Sequence, residues 1–304
     1  MAHLLNINAL LAFATVAREG SVSRAAEILN LTQPAVSHQL KRLAQETGTT
    51  FFRRTSNGLE LTDDGTALVA KADQVLEAMA DFRRSARRRS GRIAGTLRIG
   101  TIVDPDFIRL GPLLKRLRSE FPDITTELGH AVSGDILNRL TRGQIDAGFF
   151  LCAPDATLPQ QGDEPLHRIE LAEFSYRVIA PPGWQSRVEH ADWAALAALP
   201  WIGTPPTSAH HGLLAAISDK YHTRQNVVAL VDQEASMLEM VRAGVGLSLC
   251  RESIALHERQ TSGLAVAEAV SVPASLNFLT MERHLERPTV QALISALTRT
   301  WNPY

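Results

Sequence analysis

Cysteine is scarce. The 304 residues hold two, Cys152 and Cys250, too few for a disulfide scaffold and in keeping with a reducing compartment. No apolar run approaches the ~18–20 residues that cross a bilayer, which argues against an integral membrane protein. With 19 glycines and 15 prolines, collagen-like and low-complexity readings fall away. Leu4 to Ala17 imitates the core of a secretory signal, but no Lys or Arg precedes it. Leu10, Phe13 and Ala17 stand at helical spacing beside Val16, so this stretch reads as an amphipathic helix of a cytoplasmic protein. Signatures of chemistry are missing too. There is no Gly-x-Ser-x-Gly elbow, no metal-spaced His/Cys/Asp cluster and no phosphate loop before a helix. Gly244-Val245-Gly246 is too short for a dinucleotide fingerprint, and His210-His211 reads as an exposed pair in a loop. The expectation is a non-enzyme with no metal and no cofactor.

What is present is an ordinary globular composition, 45% hydrophobic and 21% charged, long enough for two or three domains. The net charge of -1 hides a split. Residues 1–95 hold 13 Lys and Arg against 9 Asp and Glu, and the remainder 18 against 23. A basic N-terminal third on an acidic body implies different partners for the two parts.

The first sixty residues read as three helices and a hairpin. Gly20 ends the first helix and Asn30 the second, both suited to a left-handed C-cap. Ser21 or Ser23 caps the second helix, whose Ala25 and Ala26 let another helix approach. Thr32 caps the third, and Pro34 falls in its first turn, where the missing N–H costs nothing. Val36, Leu40 and Leu43 face inward. Gln33, Ser37 and Lys41 step by four along another face, with Pro34 and His38 beside them, and that face carries no acid. Such a pair of helices is a helix-turn-helix, and its second helix fits the ~12 Å major groove of B-DNA. Gln33 suits an adenine edge, Ser37 a base or a phosphate, and Lys41 and Arg42 the phosphates. Phe51-Phe52-Arg53-Arg54, the Asn57-Gly58 turn signal and Leu59 to Thr62 then form a wing, with Arg53 and Arg54 directed at backbone or minor groove.

These residues are recognisable as a set. The string Phe13, Gly20-Ser21, Ala25-Ala26, Leu29, Thr32 to Ser37, Gln39-Leu40, Leu43, Gly48, Phe51 to Arg54, Leu61-Thr62 and Gly65 resembles the N-terminal domain of LysR-type transcriptional regulators. Ala44 departs from it, standing where that family usually has Glu. The resemblance implies double-stranded operator DNA as partner, with RNA polymerase a further partner of such a regulator.

Thr62 caps a long helix to about Arg89, with Asp63 and Asp64 in the first turn where acids suit the dipole. Leu68, Ala72, Val75, Met79, Phe82 and Ala86 alternate steps of four and three, a heptad seam that asks for a partner helix. Paired operator half-sites ask for the same homodimer, and the family resemblance implies a dimerising linker helix and assemblies that are often homotetramers. Arg83, Arg84, Arg87, Arg88 and Arg89 form a basic run, and Ser90-Gly91 marks a hinge. The partition is thus 1–62 winged helix-turn-helix, 63–90 linker helix, 91–95 hinge and 96–304 effector domain.

Beyond residue 95, strands alternate with helices, as in an α/β domain with a mainly parallel sheet. Strands are expected at Thr96–Thr101, Ile124–Leu128, Ile145–Phe150, Tyr176–Ala180, Trp201-Ile202, Val245–Leu249 and Leu276–Met281, and helices at Pro112–Phe121, Gly134–Thr141, Glu234–Arg242 and Pro288–Trp301. Gly143 to Phe149 and Val241 to Leu247 again resemble the LysR-type effector domain, which is similar to the two-lobed periplasmic solute-binding fold. Lobe I takes about 96–167 and 271–304, lobe II about 168–270. Ligands of open α/β sheets bind beyond the carboxyl ends of strands, here in the cleft between lobes. The lip residues are then Thr101, Val103, Asp104, Ser133, Phe150, Leu151, Thr204, Thr207 and Ser208. Asp104 stands where relatives for acidic ligands place a hydroxyl, and no cation stands among these residues. A buried anion beside a carboxylate is costly, so a neutral or amine-bearing effector is expected. Two alternatives remain: a redox-sensing regulator using Cys152 or Cys250, and a two-lobed binding protein or enzyme with no DNA role.

Overall fold

The computed structural model describes residues 6–55, 58–87, 92–102, 104–158 and 165–302. Contacts divide the chain into two compact units.

The N-terminal unit opens with α1 (Ile7–Glu19), α2 (Val22–Leu29) and α3 (Gln33–Thr47). Each expected end signal is used. Gly20, Asn30 and Gly48 adopt positive φ at the three C-caps. The Ser21 hydroxyl accepts from Arg24 N at 3.3 Å and that of Thr32 from Ala35 N at 3.4 Å. Strands β1 (Phe52–Thr55) and β2 (Gly58–Leu61) pair antiparallel, Thr55 opposite Gly58; Asn57 lies outside the described residues. Phe13 packs between Phe51 and Phe52, ring centroids 4.5 and 5.7 Å away. Buried Ala25 and Ala26 share a core with Val16 and Val36.

Helix α4 (Asp63–Arg87) starts at Thr62, whose hydroxyl accepts from Gly65 N at 2.9 Å. Its apolar seam divides. Ala72 is buried and Leu68 half-buried against Leu10, Phe13 and Leu43, so these two belong to the chain's own core and not to a free seam. The reason is that the first turns of α4 lie on α1. Farther along, Val75 is 45% exposed and Phe82 74%, with Met79 between. The side chains of the basic run from Arg83, and the hinge at Ser90-Gly91, lie outside the described residues.

The second unit is built on one seven-stranded sheet. In chain order come β3 (Gly95–Thr101), α5 (Leu110–Glu120), β4 (Ile124–His130), α6 (Ser133–Thr141), β5 (Ala147–Cys152) and the 15-residue β6 (Leu166–Ala180). Then follow α7 (Gln185–Val188), α8 (Trp193–Ala197), β7 (Pro200–Gly203), α9 (Ala209–Tyr221), β8 (Asn226–Leu230) and α10 (Glu234–Arg242). The chain closes with β9 (Ser248–Arg251), α11 (Glu252–Thr261), β10 (Ala265–Val266), β11 (Val272–Met281) and α12 (Pro288–Trp301). The sheet order is β10-β6-β11-β5-β3-β4, with β9 also on β6.

The expected mainly parallel sheet is corrected by this order. In this sheet only β3 runs parallel to its neighbours, β4 and β5, while the β11/β5, β11/β6, β6/β9 and β6/β10 ladders are antiparallel; β7 and β8 form a separate parallel pair. The cause is the passage between lobes. Leu276, Phe278 and Met281 of β11 belong to the core of lobe I, and Val272 and Ala274 to that of lobe II. The chain leaves lobe I along β6 and returns along β11, and two opposite passes side by side are antiparallel. The strand expected over Val245–Leu249 starts three residues later, at Ser248, and ends two later, at Arg251; before it, Gly246 passes so close to Pro200 that a Cβ would sit 2.4 Å from its carbonyl oxygen. Among the described residues no helix is long and apolar enough to cross a membrane.

Candidate nucleic-acid interface and effector cleft

On the N-terminal unit, Thr32, Gln33, Pro34, Ser37, His38, Lys41 and Arg42 are all exposed, as are Arg53 and Arg54 on β1. Val36 and Leu43 bury the opposite side of α3, which fixes the polar face outward. Two of the arginines have partners: Arg42 donates to Glu46 at 2.8 Å and Arg53 to Glu60 at 3.4 Å. Both are surface pairs, worth about 0–1 kcal/mol, so a phosphate competes easily for either guanidinium.

In the second unit, a cavity of about 70 Å³ opens between the start of α6, the end of β5, the loop after β7 and the starts of α9 and α10. Four of the expected lip residues line it: Ser133, Leu151, Thr204 and Ser208. The Ser133 hydroxyl accepts from Leu151 N at 3.0 Å, tying α6 to the end of β5. Ser208 caps α9 through His210 N at 3.2 Å. Thr204 is 8% exposed, and its hydroxyl has no hydrogen-bond partner. A buried hydroxyl without a partner loses its hydration for nothing, and this one borders open space.

The other lip residues do not line it. Thr101 and Phe150 are buried, Phe150 within the lobe I core, because the strand ends point them into the fold. Thr207 contributes its backbone, its carbonyl accepting from Gly134 N at 2.8 Å. Val103 lies outside the described residues. Asp104 is turned away by its positive φ of 75°. Its carboxylate accepts from Asp106 N and Phe107 N at 3.1 and 3.0 Å and binds the Arg251 guanidinium. Arg251 lines the cavity and stacks 4.3 Å over Phe107.

That pair corrects the electrostatic reading: the cleft does contain a cation, but Asp104 neutralises it. Arg251 was missed because the expected strand ended two residues early, at Leu249, and so fell short of it. His210 is corrected likewise. It is no exposed loop residue but stands in the first turn of α9, edge-on to Tyr176 at 4.5 Å. Burial pulls its imidazole down to about 4 and pushes the Tyr176 phenol up, with help from Glu234 and Cys250. Glu234, first residue of α10, also lines the cavity. Burial raises its carboxyl, and the Cys250 thiol donates to it at 3.9 Å, which works the other way. A helix start facing the cleft was the signal that would have found Glu234; nothing local marks Phe107.

Cys250 is fully buried. Burial, then Glu234 and Glu258, raise its thiol, the opposite of what a redox-sensing thiolate needs. Cys152 is half-buried, its Sγ accepting from Asn277 Nδ2 at 3.4 Å.

Comparison with known proteins places both units. The family described as bacterial regulatory helix-turn-helix protein, lysR family, matches residues 7–66, and the LysR substrate binding domain matches residues 90–302. The transcriptional regulator IlvR of Caulobacter vibrioides is 27% identical over 288 residues, covering 94% of this chain and 95% of its own. Among solved structures, ArgP from Mycobacterium tuberculosis superposes with a TM-score of 0.67 at 18% identity, over 97% of this chain and 96% of that one. Full-length CbnR complexed with its target DNA gives 0.59, also at 18%, over 97% and 99%. At such identities these two structures share the fold. An acid-free helix face, a two-lobed cleft and two family matches across nearly the whole chain converge: this protein belongs to the LysR family of DNA-binding transcriptional regulators with an effector-binding domain.

Proposed function

We propose that a dimer of this chain reads a pseudo-palindromic operator through Gln33, Pro34, Ser37 and His38. Thr32, Lys41, Arg42, Arg53 and Arg54 hold the phosphate backbone. The observation that carries this reading is the outward face of α3: polar and exposed at Gln33, Pro34, Ser37, His38, Lys41 and Arg42, with no acid from Gln33 to Arg42. The working division is residues 1–62 for DNA, 63–90 for self-association, 91–95 as hinge and 96–304 for the effector. Val75, Met79 and Phe82 are the part of the α4 seam left for a second copy, and a tetramer forms by pairing such dimers. The effector occupies the cleft at Ser133, Leu151, Thr204 and Ser208, and is neutral or amine-bearing. It acts by binding one lobe arrangement better than another, since a ligand shifts an equilibrium only by its differential affinity. RNA polymerase is the partner through which the bound regulator acts in the cytoplasm.

The test is Gln33→Ala in the full chain, measured on operator and on random DNA over a salt series. The expected result is a loss of about 1–3 kcal/mol on operator alone, with the salt slope unchanged. Equal loss on both DNAs, or none, refutes base readout by α3.

A further inference from the structure

The cleft holds a carboxyl group that no cation among the described residues neutralises. Glu234 lines the cavity, and among the described residues no Lys, Arg or His pairs with it; the Cys250 thiol donates to it, and the Tyr176 phenol lies near enough to feel its charge. The arginine on the cavity lining, Arg251, is taken by Asp104. His210 carries no charge near neutral pH, since burial holds its imidazole down to about 4. Thr204 adds a buried hydroxyl with no partner on the same wall. Asp232, also on the wall, adds a second acid. Ser133, Tyr176, Ser208 and Gln233 add uncharged polar groups, and Phe107, Leu151 and Met237 are among the apolar ones lining the space.

A half-buried acid without a cation is stabilised most by a ligand that brings one. The unsatisfied hydroxyl asks for one further hydrogen bond. With about 70 Å³ open to water-sized groups, the cavity suits a compact ligand. We infer that Glu234 is the anchor of the effector: its carboxylate binds the ammonium group of a compact primary amine with a small branched apolar body. Thr204 supplies the second polar contact. Arg251 stays with Asp104 and leaves no free cation for a carboxylate. This assignment rests on the effector reading of the cleft and gives it a chemical class.

Three isosteric probes separate charge from shape: isobutylamine, isobutanol and isobutyrate. Each is titrated into the full-length protein at equal ionic strength, with thermal unfolding and calorimetry as readouts. Isobutylamine is expected to raise the unfolding temperature, and the other two to do so weakly or not at all. In Glu234→Gln, which keeps the shape and removes the charge, isobutylamine affinity falls by about tenfold or more, the range for a hydrogen bond to a charged group. In Ala131→Leu, which fills the cavity, it is lost. Isobutyrate binding better than isobutylamine, or undiminished amine binding in Glu234→Gln, overturns the assignment. Binding of isobutanol or isobutyrate that disappears in Ala131→Leu keeps the cleft as the effector site while refuting the amine. If no probe binds, the compact-amine class is refuted, and the operator experiment above still decides the DNA reading on its own.

Discussion

At the scale of single residues, burial decides the chemistry, and it does so with opposite signs in the cleft. His210 has its imidazole lowered to about 4 from an ordinary 6.5. The unfolded chain therefore takes up that proton before the folded one does. Stability is full above pH 6.5 and is lost as pH falls through the window to about 4. Glu234 is raised from 4.5, so the folded chain keeps a proton that the unfolded chain has released. Stability is lost there as pH rises above 4.5. In unfolding temperature against pH, His210→Asn is expected to flatten the acid side between 4 and 6.5, and Glu234→Gln the side above 4.5. A pH profile unchanged in both variants contradicts this. Cysteine reactivity follows the same logic. Iodoacetamide is expected to modify half-buried Cys152 in the native protein well before Cys250, which is sealed and has its thiol raised. Peptide mass mapping after timed quenching reads the order.

At the scale of elements, close approaches set the geometry. The start of α4 is pressed onto the root of the wing: a Cβ on Gly65 would sit 2.2 Å from the Phe51 carbonyl oxygen. That same carbonyl accepts from Thr62 N at 3.0 Å, so it is held in place and cannot move aside cheaply. Gly65→Ala is expected to destabilise the N-terminal unit by about 1–3 kcal/mol, as overpacking does, and to weaken binding to every DNA by displacing the wing. Chemical denaturation followed at the N-terminal unit checks this, and a neutral result shows that the wing root yields. The α3 face behaves differently. Its side chains are solvated, so alanine replacements there are expected to change DNA binding, if these residues make the proposed contacts, and to leave stability within about 0.5 kcal/mol.

At the scale of the whole molecule, the proposed self-association concerns the far part of α4. Phe82 is 74% exposed and Val75 45%, while Ala72 is already covered at 3%. Phe82→Glu is expected to shift the protein toward monomer in sedimentation velocity and to weaken operator binding more than binding to a half-site. Ala72→Ser, by contrast, acts on the stability of the N-terminal unit and leaves the oligomer intact. The contrast between these two residues shows how far the sequence reaches. A spacing of four and three marks both as apolar helix positions, and only the packing of α1 on α4 says which is spent inside the chain. The DNA-reading unit was legible almost residue by residue, because caps, turns and the two faces of α3 are local: Gly20, Asn30, Thr32 and Gly48 carry their own conformational preferences. The effector domain was legible as alternating elements, but not as a sheet, since the antiparallel passes of β6 and β11 depend on pairing across a hundred residues. The cleft divided along the same line. Ser133, Leu151, Thr204 and Ser208 follow from strand and helix ends. Arg251, His210 and Glu234 do not, because their charge state comes from neighbours distant in the chain: Asp104 for the first, the walls of the cavity for the other two. Local stereochemistry determined the fold of the reading head and the kind of protein this is. The long-range closure of two lobes decided which polar groups are buried, which are paired, and so what the cleft can hold.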